Sequence, residues 1–400
     1  MRVLHIGKYF PPFAGGMEQF LADLLPALRA REIEPAALVH GHAGHNGRID
    51  DHRGCPIYRA PSHGRLLFAP VSPAFPRWLE RAIRDWRPQL LHLHLPNTSA
   101  FWVMASPAAR RLPWLVHWHA DVTDTDHAGL RLGYAFYRPL EQRLLRRSRG
   151  IVATSPAYLD SSRALAAHRE LCRVVPLGVD PGRLPVPDTA ARAQATTLWP
   201  ASGCRILALG RLTYYKGFDV LLHAAAMVPE LQLVIVGGGE QHKRLAALIE
   251  RLGLQSRVRL AGFQPDPVRN ALLAGCDLLC LPSLTRAAAF GVVLLEAMRF
   301  GKPVVASDIP GSGVGWVVRQ GGHGRLTPPG DSIALAETLR MLTGDRALRE
   351  NLGRFGQQAL RERFAISPVA RQFAALYRSL DEPAEAARTA PPGSGAGTGD

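Results

Sequence analysis

Two rhythms of apolar and polar positions alternate along almost the whole chain. Near-continuous apolar runs come first as RVLHI, AALVH, LLHLHL, WLVHWH, GIVAT and CRVVPL, then as RILALG, LQLVIVG, RVRLAG, DLLCLPS and PVVAS. Longer stretches between them carry apolar residues three and four positions apart, the period of a helix with one buried face. Runs greasy on both sides, separated by amphipathic helices, predict parallel sheets covered on both faces. Two such series in succession predict an α/β chain of two doubly wound domains. In such sheets ligands bind beyond the carboxyl ends of the strands. The proline- and glycine-rich GVDPGRLPVPDTAARAQ, 178–194, marks the join. The first domain is thus expected at 1–180 and the second at 195–365. SPVARQFAALYRSL predicts a closing helix within 366–381, and 382–400, lacking any apolar pattern, reads as a disordered tail.

Composition narrows the class. The chain has 400 residues, 47% of them hydrophobic and 20% charged, which suits a folded globular protein of two domains rather than a disordered one. No run of about 18 apolar residues occurs, so no membrane span is expected. MRVLHIGKYF enters a strand at once and shows no cleavable signal pattern. Five scattered cysteines fit a reducing cytoplasm, and Cys276 and Cys280 lack the usual metal spacing. The net charge is +15, and part of the basic excess clusters in RWLERAIRDWRP (77–88) and RPLEQRLLRRSRG (138–150). Basic amphipathic helices of this kind lie on anionic lipid surfaces, or are ordinary solvated helix faces. No nucleic-acid motif accompanies the charge, so nucleic acid is not expected as a partner.

Chemistry gathers where strands end. Gly15 and Gly16 precede a helix, either turning its amides toward an anion or making a simple tight turn. In LALGRLTYYKGFDV, Arg211 and Lys216 follow a strand on the loop into a helix. They suit a diphosphate, arginine as a fork and lysine as a point charge, unless they pair with surface acids. VIVGGGE is another glycine-rich strand exit but does not match a nicotinamide fingerprint. His92 and His94, like His117 and His119, alternate on strands, so each pair faces one side of a sheet. His117, His119 and Asp121 are conceivable metal ligands, but paired histidines on strands are more often hydrogen-bonded core or cleft residues, and no metal is expected. His40, His42 and His45 read as an exposed glycine-rich loop. In LTRAAAFGVVLLEAMRFGKPVVAS (284–307), Gly291 opens a greasy helix that carries one carboxylate, Glu296. Buried there, Glu296 needs a hydrogen-bonding partner, either a local one or a ligand.

Taken together, FPPFAGGME, HWHADV, VVPLGVD, GRLTYYKG, FGVVLLEAMRFGKPVVAS and GRLTPPGD resemble glycosyltransferase family 4, retaining enzymes of the two-Rossmann-domain (GT-B) fold. The motifs run in the expected order over roughly residues 1 to 375. YYKG and GSGVGWV look most like bacterial mannosyl- and rhamnosyltransferases of surface polysaccharide synthesis. The resemblance implies that Arg211 and Lys216 hold the donor diphosphate while Gly16 closes over it. It implies that Glu296 accepts from the ribose hydroxyls and that the base lies near Phe263 to Asp266. Amides of Phe290, Gly291 and Val292 would meet the sugar and distal phosphate, with His119 across the cleft. It further implies a metal-independent enzyme, cytoplasmic and peripheral at the inner face of the plasma membrane. Such an enzyme would use a nucleotide sugar, GDP-linked by preference, and a lipid-linked or glycan acceptor.

One departure stands out. Eight residues before Glu296 the family pattern has a second glutamate, and here that position is Ala288. The flanking TRA and AFG keep the pattern, so this is a point replacement, fitting either an engineered substrate trap or a natural variant of weak or altered activity. Three other readings stand beside transfer to a lipid-linked glycan. They are transfer to a soluble sugar or sugar phosphate, donor binding without catalysis, and epimerisation of the nucleotide sugar.

Overall fold

The computed structural model describes residues 1–381 except 14, 44–45, 67–68, 123–127 and 201. The first sheet is built from Arg2–Ile6 (β1), Glu34–Ala43 (β2), Arg48–His52 (β3), Cys55–Ser62 (β4), Leu90–Leu95 (β7), Trp114–Trp118 (β8), Gly150–Ala153 (β9) and Cys172–Val174 (β10). A short ribbon, Arg65–Leu66 (β5) with Ala69–Pro70 (β6), stands apart from it. The strand order of the first sheet is β10-β9-β8-β7-β1-β2-β4-β3, parallel except where β3 pairs β4. The second sheet holds Cys204–Leu209 (β11), Leu231–Val236 (β12), Val258–Gly262 (β13), Leu278–Leu281 (β14), Val304–Ser307 (β15) and Gly324–Thr327 (β16), in the order β13-β12-β11-β14-β15-β16 and parallel throughout. Each apolar run of the sequence lies in one of these strands, and their side chains are almost all buried.

Chain order reverses once in each sheet. In the first, β1 lies between β2 and β7; in the second, β11 lies between β12 and β14. Loops leaving the strands on either side of such a switch point must diverge to opposite faces, which opens a crevice at the carboxyl edge. The exits of β1, β11 and β14 therefore carry the candidate site.

Three expectations are corrected. His40 and His42 are not in an exposed loop but on β2, where His40 is fully buried and hydrogen-bonds Lys8 O and Ser99 Oγ through its two ring nitrogens; His45 lies outside the described residues. Strands β3 and β4 were not expected. RIDDH is polar because it forms an exposed antiparallel edge, and CPIYRAPS carries Pro56 and Pro61, residues that ordinarily argue against a strand. β16 escaped as well, because its GRLT is short and only half buried.

The chain passes between the two sheets twice, side by side. Val179 donates its amide to Phe364 O at 3.0 Å and accepts from the amide of Ile366 at 2.8 Å. The last helix, Ile366–Asp381, then returns to the first sheet, where Arg31 holds Ser367 O at 2.8 Å and Tyr377 is fully buried.

Candidate active site

Two helix starts meet in the crevice. The helix Gly16–Arg29 follows the exit of β1, and Gly15 offers it no side-chain cap. Helix Val292–Arg299 follows the exit of β14 and starts from Gly291, whose φ of 80° is left-handed and so suited to glycine. A methyl group on Gly16 would lie 3.3 Å from Val292 Cγ2, so the two N-termini approach to contact. Each presents unsatisfied amides and the positive end of its dipole. The region between them favours an anion.

Arg211 and Lys216 stand on the β11 exit, beside the loop that leaves β14, where the amide of Leu284 donates to Tyr215 O at 2.8 Å. Arg211 is exposed and donates to the Tyr215 hydroxyl at 3.2 Å. Burial lowers the Lys216 ammonium below the usual lysine range; the Tyr215 phenol opposes this and Arg211 adds to it. Among the described ion pairs none involves Arg211 or Lys216. Neither cation is held by an acid in an ion pair among the described residues, although Glu18 lies near Arg211.

Across the crevice stand residues that the sequence reading did not single out. They are Lys8, Glu18 and Arg65, which lie close to one another and to Arg211. The Lys8 ammonium is lowered, mainly by burial, and Glu18 is raised for the same reason, against its own amide, Lys8, Arg211 and Arg65. The Glu18 carboxylate folds over Gly15, where any side chain would collide with it. A negative group thus already occupies the start of the first helix. Glu18 was legible as part of GGME, but nothing local marked it as facing the anion region.

Glu296 has local partners. It is 6% exposed, and its Oε1 is reached by Arg183 Nη2 at 3.4 Å and Arg269 Nη2 at 3.8 Å. Arg183 also donates through Nε to both oxygens of Asp23 at 3.1 Å. Burial raises the Asp23 carboxyl despite that cation. Arg183 comes from the linker, and its partners are 160 and 113 residues away in sequence, so no local signal could have found it. A second cross-domain clamp links Arg286 Nη2 to Asp121 Oδ2 at 3.1 Å. Asp121 also accepts from Trp118 Nε1 and Ser162 Oγ, which takes it away from His117 and His119.

The remaining residues fall as follows. Phe290 is buried and Phe263, at the exit of β13, is 74% exposed, an open aromatic face. Ala288 is buried, and its carbonyl accepts from Ser312 Oγ at 2.6 Å. His119 lies just past β8, buried, and joins His94 across a 3.0 Å ring-to-ring hydrogen bond; burial and then His94 hold it well below the usual histidine range. Two trios that could hold a metal occur among the described residues, His5 with His92 and His94, and His94 with His117 and His119, each with ring nitrogens within 4.8 Å of one another.

This arrangement can bind a diphosphate between two helix starts and two cations that form no ion pair among the described residues. Residues 15–178 match the glycosyl transferase 4-like domain, and residues 194–359 match the glycosyl transferases group 1 family. The D-rhamnosyltransferase WbpZ of Pseudomonas aeruginosa is 30% identical over 91% of this chain and 92% of its own. The chain is a glycosyltransferase. The phosphatidyl-myo-inositol mannosyltransferase of Mycobacterium leprae is also 30% identical, over 95% of this glycosyltransferase and 97% of the relative. The O-antigen chain mannosyltransferase C of Escherichia coli is 28% identical over 96% and 99%. Among solved structures, a sucrose-phosphate synthase from Thermosynechococcus elongatus superposes with a TM-score of 0.78, at 24% identity, over 95% of this chain and 98% of its own. Anabaena HepE in complex with UDP-glucose gives 0.73 at the same identity, over 95% and 100%. The glycosyltransferase thus has the GT-B architecture. Among the described residues no helix is long and apolar enough to cross a membrane.

Proposed function

We propose that this glycosyltransferase moves a hexose, mannose or rhamnose, from a nucleoside diphosphate sugar, GDP-linked by preference, to a lipid-linked glycan acceptor during bacterial polysaccharide synthesis. What supports it most is the contact of two helix starts, at Gly16 and Val292, beside Arg211 and Lys216, which form no ion pair among the described residues. The names of the mannosyl- and rhamnosyltransferase relatives support the choice of sugar. On this reading the cations and helix amides neutralise the leaving diphosphate, so that no metal is required for transfer. The acceptor hydroxyl attacks from the side the diphosphate leaves, the leaving phosphate takes its proton, and the anomeric configuration is retained. Closure over the donor excludes water, which would otherwise compete as acceptor.

A place at the inner membrane face is supported by the helix Ala128–Arg147. Phe136, 79% exposed, Leu140, Arg143 and Arg147 recur three and four residues apart, giving one exposed apolar and basic face. The buried alanine at 288 favours one second reading, donor binding without transfer. The test offers radiolabelled GDP-mannose, dTDP-rhamnose and UDP-glucose, with lipid-linked oligosaccharide in anionic vesicles, to the wild type and to Ala288→Glu. Label is expected in the lipid fraction, and the restored carboxylate should raise the rate about 10²-fold. Donor binding with no label moved by either protein would leave the second reading standing.

A further inference from the structure

Beneath the first and last helices, five histidines share one face of the first sheet. His5 stands on β1 opposite His92 on β7, and His94 on β7 stands opposite His117 on β8, with His119 just beyond. All five are buried, at 4% exposure or less. Phe20 from the first helix and Phe373 and Tyr377 from the last close over them. The rings form a partial chain of hydrogen bonds. His5 Nδ1 lies 3.1 Å from His94 Nε2, His94 Nδ1 lies 3.0 Å from His119 Nε2, and His92 Nδ1 lies 2.6 Å from the Tyr377 hydroxyl. Five buried ring nitrogens have no partner: His5 Nε2, His92 Nε2, both of His117, and His119 Nδ1. Buried polar atoms are ordinarily paired, and so many exceptions in one place require a specific reason, of which a bound ion is one.

We propose that His5, His92 and His94 form a buried site for a transition-metal ion of the zinc class. Their ring nitrogens already lie within 4.8 Å of one another. An all-imidazole set suits zinc, copper, nickel or iron and does not suit magnesium or calcium. The surroundings also match, because a metal-bound imidazole usually has its second nitrogen held by a neighbour. His92 Nδ1 would donate to Tyr377, and His94 Nδ1 to His119 Nε2. The ion would thereby tie the last helix to the first sheet and fix the tautomer of His119. His94 also lines a small cavity with Lys8 and Glu18. The role is structural and positioning; sugar transfer itself is not routed through the ion.

The experiment uses the full chain without an affinity tag, stripped with EDTA and titrated with Zn²⁺ against a chromophoric chelator, and with Co²⁺ by visible spectroscopy. One ion should bind per chain. The cobalt form should show the intense visible absorption of a four-coordinate, nitrogen-rich centre, a reading that needs no variant. Tyr377→Phe, which removes only the outer partner, should weaken Zn²⁺ binding about 10- to 100-fold. His92→Gln should weaken it further, and His223→Gln, at an exposed histidine, should not change it. A cobalt spectrum with only weak six-coordinate bands, or equal Zn²⁺ uptake by wild type and His92→Gln, would overturn the site and leave five neutral imidazoles packed as a hydrogen-bonded array. Metal uptake is read without donor sugar, so its outcome is separate from that of the transfer assay.

Discussion

Lys216 illustrates how much one side chain can reveal and how much it hides. Its position on a strand exit was readable from LGRLTYYKG, because a glycine-ended strand followed by a helix leaves only a short loop for it. Its lowered proton affinity was not readable, since that follows from burial and from Arg211, five residues away, folding to the same side. A lysine whose pKa is depressed loses its charge at a lower pH than an ordinary one. Donor affinity should therefore begin to fall on the alkaline side before the ordinary lysine range, and Lys216→Met should abolish that limb of the profile; fluorescence titration with a nucleoside diphosphate between pH 7 and 10 checks it. A donor bound first would draw the pKa back up, so the limb should be sharper in binding than in turnover at saturating donor. Ala288 is the opposite case. The sequence showed the missing glutamate plainly, because the flanking pattern fixes the register, whereas the burial of the alanine and its Ser312 contact depend on the fold.

At the scale of elements, the apolar runs marked every interior strand except β4, because a strand buried on both faces is mostly apolar. The edge failed for the same reason: β3 is polar where solvent covers it, and β4 keeps its prolines because it lies next to that edge. The helix Ala128–Arg147 was readable as basic and amphipathic, yet its fully buried Glu141 was not anticipated. Tyr134 donates to Glu141 Oε2 at 2.8 Å, and Oε1 has no partner. Burial, with Asp121 adding to it, pushes this carboxyl from its ordinary 4.5 up to about 7. A raised carboxyl favours the folded state while protonated in it, and that contribution is lost as pH rises from about 4.5 through about 7. Glu141→Gln mimics the protonated form. It should therefore raise the thermal midpoint at pH 8, by an amount corresponding to on the order of 2 kcal/mol, and change little at pH 4.5. Paired thermal melts at the two pH values measure this.

For the whole molecule, two doubly wound halves were legible from the repeated alternation, and the location of the crevice followed from where such sheets reverse. How the halves are held together was not legible, because it rests on contacts such as Arg183 to Asp23 and Glu296 that are remote in sequence. Glu296 stood out as a buried carboxylate, but its partner could be named only from the fold. Removing Arg183 leaves two buried carboxylates facing each other's domains. Arg183→Ala should destabilise the protein by about 3–5 kcal/mol near neutral pH, and by less in acid, where the raised Asp23 carboxyl takes up a proton. Urea unfolding at pH 7 and pH 4 tests the size and the sign.

The central claim is that Arg211, Lys216 and the two helix starts grip a pyrophosphate between the domains. Isothermal titration of GDP and UDP into wild type and the Arg211→Ala/Lys216→Ala double variant tests it most directly, since the diphosphate is common to both nucleotides. At least one of them should bind the wild type, with affinity reduced about 10²-fold or more in the double variant, as expected when two charge-assisted contacts of about 1.5–3 kcal/mol are lost. Equal affinity in the two proteins, for whichever nucleotide binds, would contradict the account.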